Sequence, residues 1–265
     1  MGRRLGQHFL SRKSILDRIA RAACGPTLCP LVIEIGPGKG ALTGPLLELA
    51  SHVVAIEVDP YLVHYLRQKF AAALDAEKLT LIEGDVLKTD FAALIRERGG
   101  HGAITGNLPY YITSPILDRV FAVDGLWERA VFLMQVEVAE RLAAAPGSRT
   151  YGYLSVLTQL HAHPDILFEV PRTSFHPPPK VDSAVVRLEP RAAPFGWNLP
   201  DIQEFLRFAA ACFRHKRKTL RNNLSSLYGQ DCVDSLPEGR LRAEQLSVEE
   251  LAGLYRKLES VCPRA

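Results

Sequence analysis

At 265 residues the chain is long enough for one large domain, or a large domain and a small one, and either can bury a proper core. Its hydrophobic content of 47% is ordinary, and no apolar run approaches the roughly 18 to 20 residues of a membrane helix. Five scattered cysteines (Cys24, Cys29, Cys212, Cys232, Cys262) without a C-x-x-C pair argue against a disulfide framework or a zinc module, so reduced structural thiols and no metal are expected.

The net charge of +3 says little about partners, but its distribution says more. Arg3, Arg4, Arg12, Lys13, Arg18 and Arg21 face a single acid, Asp17, in the first 21 residues. The stretch 214–221 holds five Arg or Lys and no acid. Two basic patches on a near-neutral body fit a partner with phosphates. The basic start has no apolar core of a signal peptide, so a cytoplasmic protein is expected.

In chain order, Ser14–Ala23 is expected to be a helix with Ile15, Leu16 and Ile19 on its apolar face. From residue 31 to 136, short β-branched runs alternate with helical patterns, the signature of a parallel sheet. The predicted strands are Leu31–Ile35, Val53–Glu57, Leu79–Glu83, Ala103–Gly106 and Ala130–Gln135. Asp59-Pro60 marks a helix start, with Asp as N-cap and Pro in the first turn. Beyond Tyr151 a helical run reaches about His161, and strands at Ile166–Val170 and Ser183–Leu188 suggest an antiparallel hairpin at the sheet edge. Pro190–Pro200 has the composition of a linker, and the rest is helical. The expected architecture is α/β, a Rossmann-like sheet with an antiparallel edge hairpin in residues 1–195, followed by a small helical domain in 196–265.

Glu34-Ile-Gly-Pro-Gly-Lys-Gly40 lies between a buried strand and a helix, where glycines admit a ligand close to the backbone. Glu57, 21 residues after Gly36, could hold ribose hydroxyls of S-adenosylmethionine or of a nicotinamide dinucleotide alike. Asp85 could accept from an adenine amino group or merely close a turn. About 70 residues after the glycine turn, Asn107-Leu108-Pro109-Tyr110 ends a strand. An exocyclic amine on adenine has a lone pair delocalised into the ring. Methylating it calls for two acceptors on the N–H bonds and an aromatic plane. Asn107 and the Leu108 carbonyl offer the acceptors, and Tyr110 the plane. Phe175, in Phe175-His-Pro-Pro-Pro-Lys-Val-Asp182, could add a second aromatic face or sit in the core. Arg214, Arg217, Lys218 and Arg221 recur at i, i+3, i+4 and i+7, predicting one basic helix face suited to phosphate contact, beside an apolar stripe of Phe213, Leu220, Leu224 and Leu227.

Together, Gly6-Gln7-His8-Phe9-Leu10, Glu34-Ile-Gly-Pro-Gly, Ile56-Glu-Val-Asp59, Gly84-Asp85, Asn107-Leu-Pro-Tyr110, Phe175-x-Pro-Pro-Pro-Lys-Val-Asp182 and Arg217-Lys-Thr-Leu-Arg-Asn222 resemble the KsgA-type rRNA adenine N6,N6-dimethyltransferases, in order and over almost the whole chain. The resemblance implies S-adenosylmethionine held by His8, Leu10, Gly36, Glu57, Asp85 and Asn107, with the target adenine at Asn107, Leu108, Tyr110 and Phe175. It also implies small-subunit rRNA in an assembling 30S-type particle as substrate; a monomer is expected. His8 departs from the Asn that many relatives carry, although both can hydrogen-bond through a side-chain nitrogen. Alternatives are a large-subunit rRNA methyltransferase of the macrolide-resistance type, a non-catalytic ribosome-assembly factor, and a nicotinamide dehydrogenase.

Overall fold

The computed structural model describes residues 8–109, 112–123, 125–191 and 199–261. The chain folds as two compact units. The first comprises the described residues up to Ala139 together with Pro164–Pro190, and the second comprises Glu140–His163 with the described residues from Arg191 onward. The division expected near residue 195 leaves Glu140–His163 with the sheet. That segment packs instead through Tyr151, Val156 and Leu160 into the second unit's core, with Phe205, Phe208 and Leu251. The expected linker falls largely on 192–198, outside the described residues.

The first unit opens with strand β1 (Phe9–Leu10) and helix α1 (Lys13–Cys24). Then come β2 (Cys29–Ile35), α2 (Thr43–Leu49), β3 (Ala50–Glu57), α3 (Pro60–Lys69), α4 (Ala71–Asp75), β4 (Leu79–Glu83), α5 (Phe91–Arg96), β5 (Gly102–Asn107), α6 (Thr113–Phe121) and β6 (Trp127–Gln135). In chain order α7 (Val136–Leu142) and α8 (Tyr153–His161, of the second unit) follow, then β7 (Ala162–Val170), β8 (Phe175–His176) and β9 (Ser183–Pro190). A seven-stranded sheet runs β4-β3-β2-β5-β6-β9-β7. Its first five strands are parallel, and β9 runs antiparallel to β6. The edge pair of the sheet is thus β9 and β7, as the hairpin expectation required.

The local chemistry explains these elements. Central strands are buried on both faces, so β2 and β3 are almost continuous apolar runs in which Leu31, Val32, Ile33, Val53 and Val54 are fully buried. Each such side chain contributes about 1.5–3 kcal/mol through loss of contact with water. Asp59 caps α3 by accepting the Tyr61 N–H at 2.9 Å, with Pro60 at the first helical position. A cap of this kind stabilises a helix by about 1 kcal/mol. On β1, Phe9 pairs with His176 and Leu10 with Phe175, forming a separate two-stranded sheet with β8.

The second unit is helical: α9 (Leu199–Cys212), α10 (Leu220–Tyr228), α11 (Gln230–Asp234) and α12 (Val248–Val261), with α8 and short 3-10 turns. Its core is an aromatic cluster in which the Phe208 ring lies 5.3 Å from that of Tyr255 and 6.3 Å from that of Tyr228.

Gly106 pairs with Ile35 where β5 crosses close to β2, and a Cβ there would run into the Ile35 carbonyl oxygen. Gly106→Ala should therefore lower stability by about 1–3 kcal/mol through overpacking. A urea titration would register this as a lower midpoint with an unchanged slope.

Candidate active site at the carboxyl ends of the parallel strands

The sheet order makes β4, β3, β2 and β5 neighbours, so their carboxyl ends bring together Asp85, Glu57, the Gly36 turn and Asn107. Open α/β sheets take their ligands in this crevice. A cavity of about 550 Å³ lined by Arg21, Gly25, Leu28 and Glu48, with Arg129 of β6, contains none of the predicted site residues.

The glycine turn is built as its sequence requires. Gly36, Gly38 and Gly40 have φ of 64, 58 and 69°, which side-chain-bearing residues rarely adopt. The Gly36 N–H donates to the Ile56 carbonyl at 3.0 Å, and nothing lies within 4 Å of where its Cβ would be. The Phe9 ring covers Gly38 and lies 4.9 Å from the Lys39 ammonium.

Glu57 is only 4% exposed. One carboxylate oxygen accepts the Val58 and Asp59 N–H groups at 3.0 and 3.1 Å, and the other accepts the Gly38 N–H at 3.1 Å. It thus ties the end of β3 to the glycine turn. A carboxylate has about four acceptor positions, so room for one more donor remains. At the end of β4, one oxygen of Asp85 closes a turn on the Leu87 N–H at 2.9 Å. The turn role of Asp85 is therefore present, while its second oxygen accepts no hydrogen bond among the described residues.

The end of β5 is more unusual. The Asn107 side-chain amide donates to the His8 carbonyl at 3.2 Å, and the Leu108 N–H donates to the Leu133 carbonyl at 2.9 Å. Neither the Asn107 side-chain oxygen nor the Leu108 carbonyl accepts a hydrogen bond among the described residues. The Pro109 carbonyl is taken by the Ile112 N–H and the Thr113 hydroxyl, both at 3.2 Å. Tyr110 lies outside the described residues.

The N-terminal segment reaches this site through β1. His8 Nδ1–H donates to the Pro177 carbonyl at 2.8 Å, and the Ser11 N–H to the Ser174 carbonyl at 3.2 Å. Leu10 and Phe175, paired across the small sheet, both sit in the first unit's core cluster. Of the two readings of Phe175, the core one describes this conformation, because the residue is 4% exposed. Its pairing with Leu10 places it in the first unit's core cluster.

The basic helix face is corrected. Helix α9 ends at Cys212 and α10 starts at Leu220, so Arg214, Arg217 and Lys218 lie in the intervening turn and only Arg221 is helical. Thr219, with φ −69° and ψ 163°, is extended and breaks the helix. The Asn223 amide, rather than the next helical turn, takes the Cys212 carbonyl at 2.7 Å. Arg221 is itself paired with Asp234 at 2.7 Å. In the expected apolar stripe, Leu220 and Leu224 are fully buried but Leu227 is exposed.

Two residues escape the sequence reading. Val58 is 53% exposed directly after Glu57, an apolar wall at the end of β3 whose only sequence signal is a β-branched residue beside the strand acid. Glu34 reads in the sequence as the first letter of the glycine motif, yet it is fully buried and accepts the Thr43 hydroxyl at 2.7 Å. Burial pushes its carboxyl up to about 7; the Thr43 hydrogen bond opposes this and the Glu57 charge adds to it.

The sheet order, the glycine turn with open space at Gly36, and acids at the ends of β3 and β4 together define a Rossmann-like methyltransferase. The family model described as ribosomal RNA adenine dimethylase matches residues 2–259. The chain is 43% identical to ribosomal RNA small subunit methyltransferase A of Acidobacterium capsulatum, with 97% of this chain and 90% of the relative covered. Its identity to the protein of the same name from Lactiplantibacillus plantarum is 41%, covering 94% and 87%. Among solved structures it is similar to a dimethyladenosine transferase from Plasmodium falciparum, with a TM-score of 0.79, 28% identity and coverage of 96% and 98%. It is also similar to the 23S rRNA methyltransferase ErmE, with a TM-score of 0.70, 26% identity and coverage of 95% and 99%. The chain belongs to the ribosomal RNA adenine dimethylase family.

The Glu34 shift has a measurable consequence. A carboxyl whose folded value is raised from 4.5 to about 7 binds more protons folded than unfolded between those limits, so stability should fall as pH rises from about 4.5 to 7. Glu34→Gln keeps an acceptor for Thr43 and removes the charge. Denaturation midpoints measured across this window should decline less in the variant, and equal declines would mean Glu34 does not titrate there.

Proposed function

We propose that the crevice at the ends of β2 to β5 holds S-adenosylmethionine and the target adenine side by side, with Asn107 facing both. The reading rests on one observation: the Asn107 side-chain oxygen and the Leu108 carbonyl, adjacent at the end of β5, accept no hydrogen bond among the described residues. Acceptors at the end of a central strand call for a donor from outside, and an adenine amino group brings two N–H bonds.

The protein is an S-adenosylmethionine-dependent enzyme that dimethylates the N6 amines of adenines in small-subunit rRNA. The residues present fit the cofactor. Gly36 leaves space beside the backbone, Glu57 keeps one acceptor position for a ribose hydroxyl, and the second oxygen of Asp85 can accept from an adenine amino group. His8, Leu10 and Asn107 complete the proposed set, with Val58 as an apolar wall. When bound, S-adenosylmethionine supplies an electrophilic methyl group on a positively charged sulfur. The chain's part is to hold and orient the amine. Asn107 and Leu108 fix its N–H bonds, which turns the lone pair out of conjugation, and Tyr110 braces the ring. No strong base is needed, because the amine becomes acidic once alkylated. Phe175, buried in this conformation, is proposed as the second aromatic group toward the base.

Arg214, Arg217, Lys218 and Arg221 are proposed to contact rRNA phosphates, which position RNA without reading its sequence. An assembling 30S-type particle as substrate, a monomeric state and a cytoplasmic location complete the proposal. No described helix is long and apolar enough to cross a membrane. The small-subunit reading is favoured over the large-subunit one by 43% identity to a small-subunit relative against 26% to ErmE.

Asn107→Ala should reduce methyl transfer by about 100-fold or more, in line with loss of an oriented polar group in an active site. Cofactor affinity should weaken without vanishing. The measurement is labelled methyl transfer to undermethylated small subunits and, separately, to free large-subunit rRNA, followed by nucleoside analysis for dimethyladenine. Full activity in the variant would overturn the acceptor role, and labelling of large-subunit rRNA alone would overturn the substrate.

A further inference from the structure

The basic turn between α9 and α10 has no regular secondary structure, yet one buried side chain holds it. Asn223, 5% exposed in the first turns of α10, uses both ends of its amide across that loop. Its side-chain nitrogen donates to the Cys212 carbonyl at 2.7 Å and to the His215 carbonyl at 3.3 Å, while its oxygen accepts the His215 N–H at 3.2 Å. The first bond ends α9 by satisfying a carbonyl the helix leaves open, and the other two fix the backbone at His215. The Lys218 N–H closes the turn on the His215 carbonyl at 2.9 Å.

Five consecutive exposed residues, Arg214-His215-Lys216-Arg217-Lys218, are displayed on this frame without an acid among them. The Lys216 ammonium donates to the Arg149 carbonyl at 2.5 Å, a further tether within the same unit. Arg214, Arg217 and Lys218 form no ion pair among the described residues. Like charges in a flexible loop spread apart, and gathering them on a polyanion costs conformational entropy. A loop already closed avoids that cost.

We infer that Asn223 is a positioning residue for RNA: its amide pre-forms the 214–218 turn so that Arg214, Arg217 and Lys218 meet adjacent phosphates together. The inference rests on the phosphate-contact reading of these three cations. It assigns to Asn223 no contact with RNA, cofactor or reacting atoms.

The test is a double-mutant cycle in the full-length protein, read as affinity for small-subunit rRNA over a range of salt concentrations. Asn223→Ala should weaken binding by about tenfold at low salt and make the dependence on salt shallower, because fewer phosphates are engaged at once. In an Arg214→Ala, Arg217→Ala, Lys218→Ala background, adding Asn223→Ala should change affinity little, as expected of groups acting as a unit. If the triple variant binds as the parent does, the phosphate-contact reading fails. If the triple variant is weakened but Asn223→Ala is not, or is weakened equally in both backgrounds, the positioning role fails while that reading stands. Hydrogen exchange of the unmodified protein supplies a check independent of whether the variant folds. The His215 amide should be protected despite lying between helices, and exchange at the rate of an open loop would overturn the proposal.

Discussion

The Asn107 amide can present its oxygen in only one direction, and the proposed chemistry of the site depends on that. Its nitrogen is engaged with the His8 carbonyl, so the opposite end of the group is left as an acceptor. The same logic repeats one residue on, where the Leu108 N–H is bound to Leu133 on β6 and its carbonyl is left over. The sheet thereby uses its own donors to leave a pair of acceptors at a strand end. On the proposed function, a reversed amide would offer donors to an amine that also donates, and the lone pair would lose its orientation.

The orientation is supported from two sides. On one, Gly106 lets β5 approach β2 closely enough to bring Asn107 beside the glycine turn. On the other, the His8 carbonyl is held in place by a two-stranded clasp whose members lie far apart in the chain. The Phe9 ring covers Gly38, while Glu57 grips the Gly38 N–H. One short segment therefore touches both the glycine turn and the Asn107 amide.

The sheet was legible in the sequence because its central strands are buried on both faces, which turns them into uninterrupted β-branched runs such as Leu31–Ile35. Asp59-Pro60 was legible because its capping chemistry is local. What failed to show has a common physical cause, which is dependence on partners distant in sequence. No periodicity in Phe9–Leu10 announces Phe175–His176, and that pairing selects the core reading of Phe175 in this conformation. Glu140–His163 reads as ordinary helix, and only its aromatic and aliphatic packing assigns it to the second unit. The basic stretch is the sharpest case. Its spacing fits a helix face, but an extended Thr219 and the Asn223 amide end the helix where charge periodicity says it should continue. Side-chain capping outweighs a periodicity that buries nothing.

On the proposed function, the substrates account for how charge is distributed along the chain. S-adenosylmethionine carries a positive sulfur and RNA a line of negative phosphates, so one surface cannot serve both well. Acids or neutral acceptors suit the first, and unpaired cations the second. The chain separates the two demands. Glu34, Glu57 and Asp85 gather with neutral carbonyls at the strand ends of the first unit, and Arg214, Arg217 and Lys218 stand in a turn of the second. Over the whole chain 32 Lys and Arg stand against 29 Asp and Glu, so the net charge of +3 conceals both. An acid placed among the proposed phosphate-binding guanidinium groups would reduce affinity for RNA.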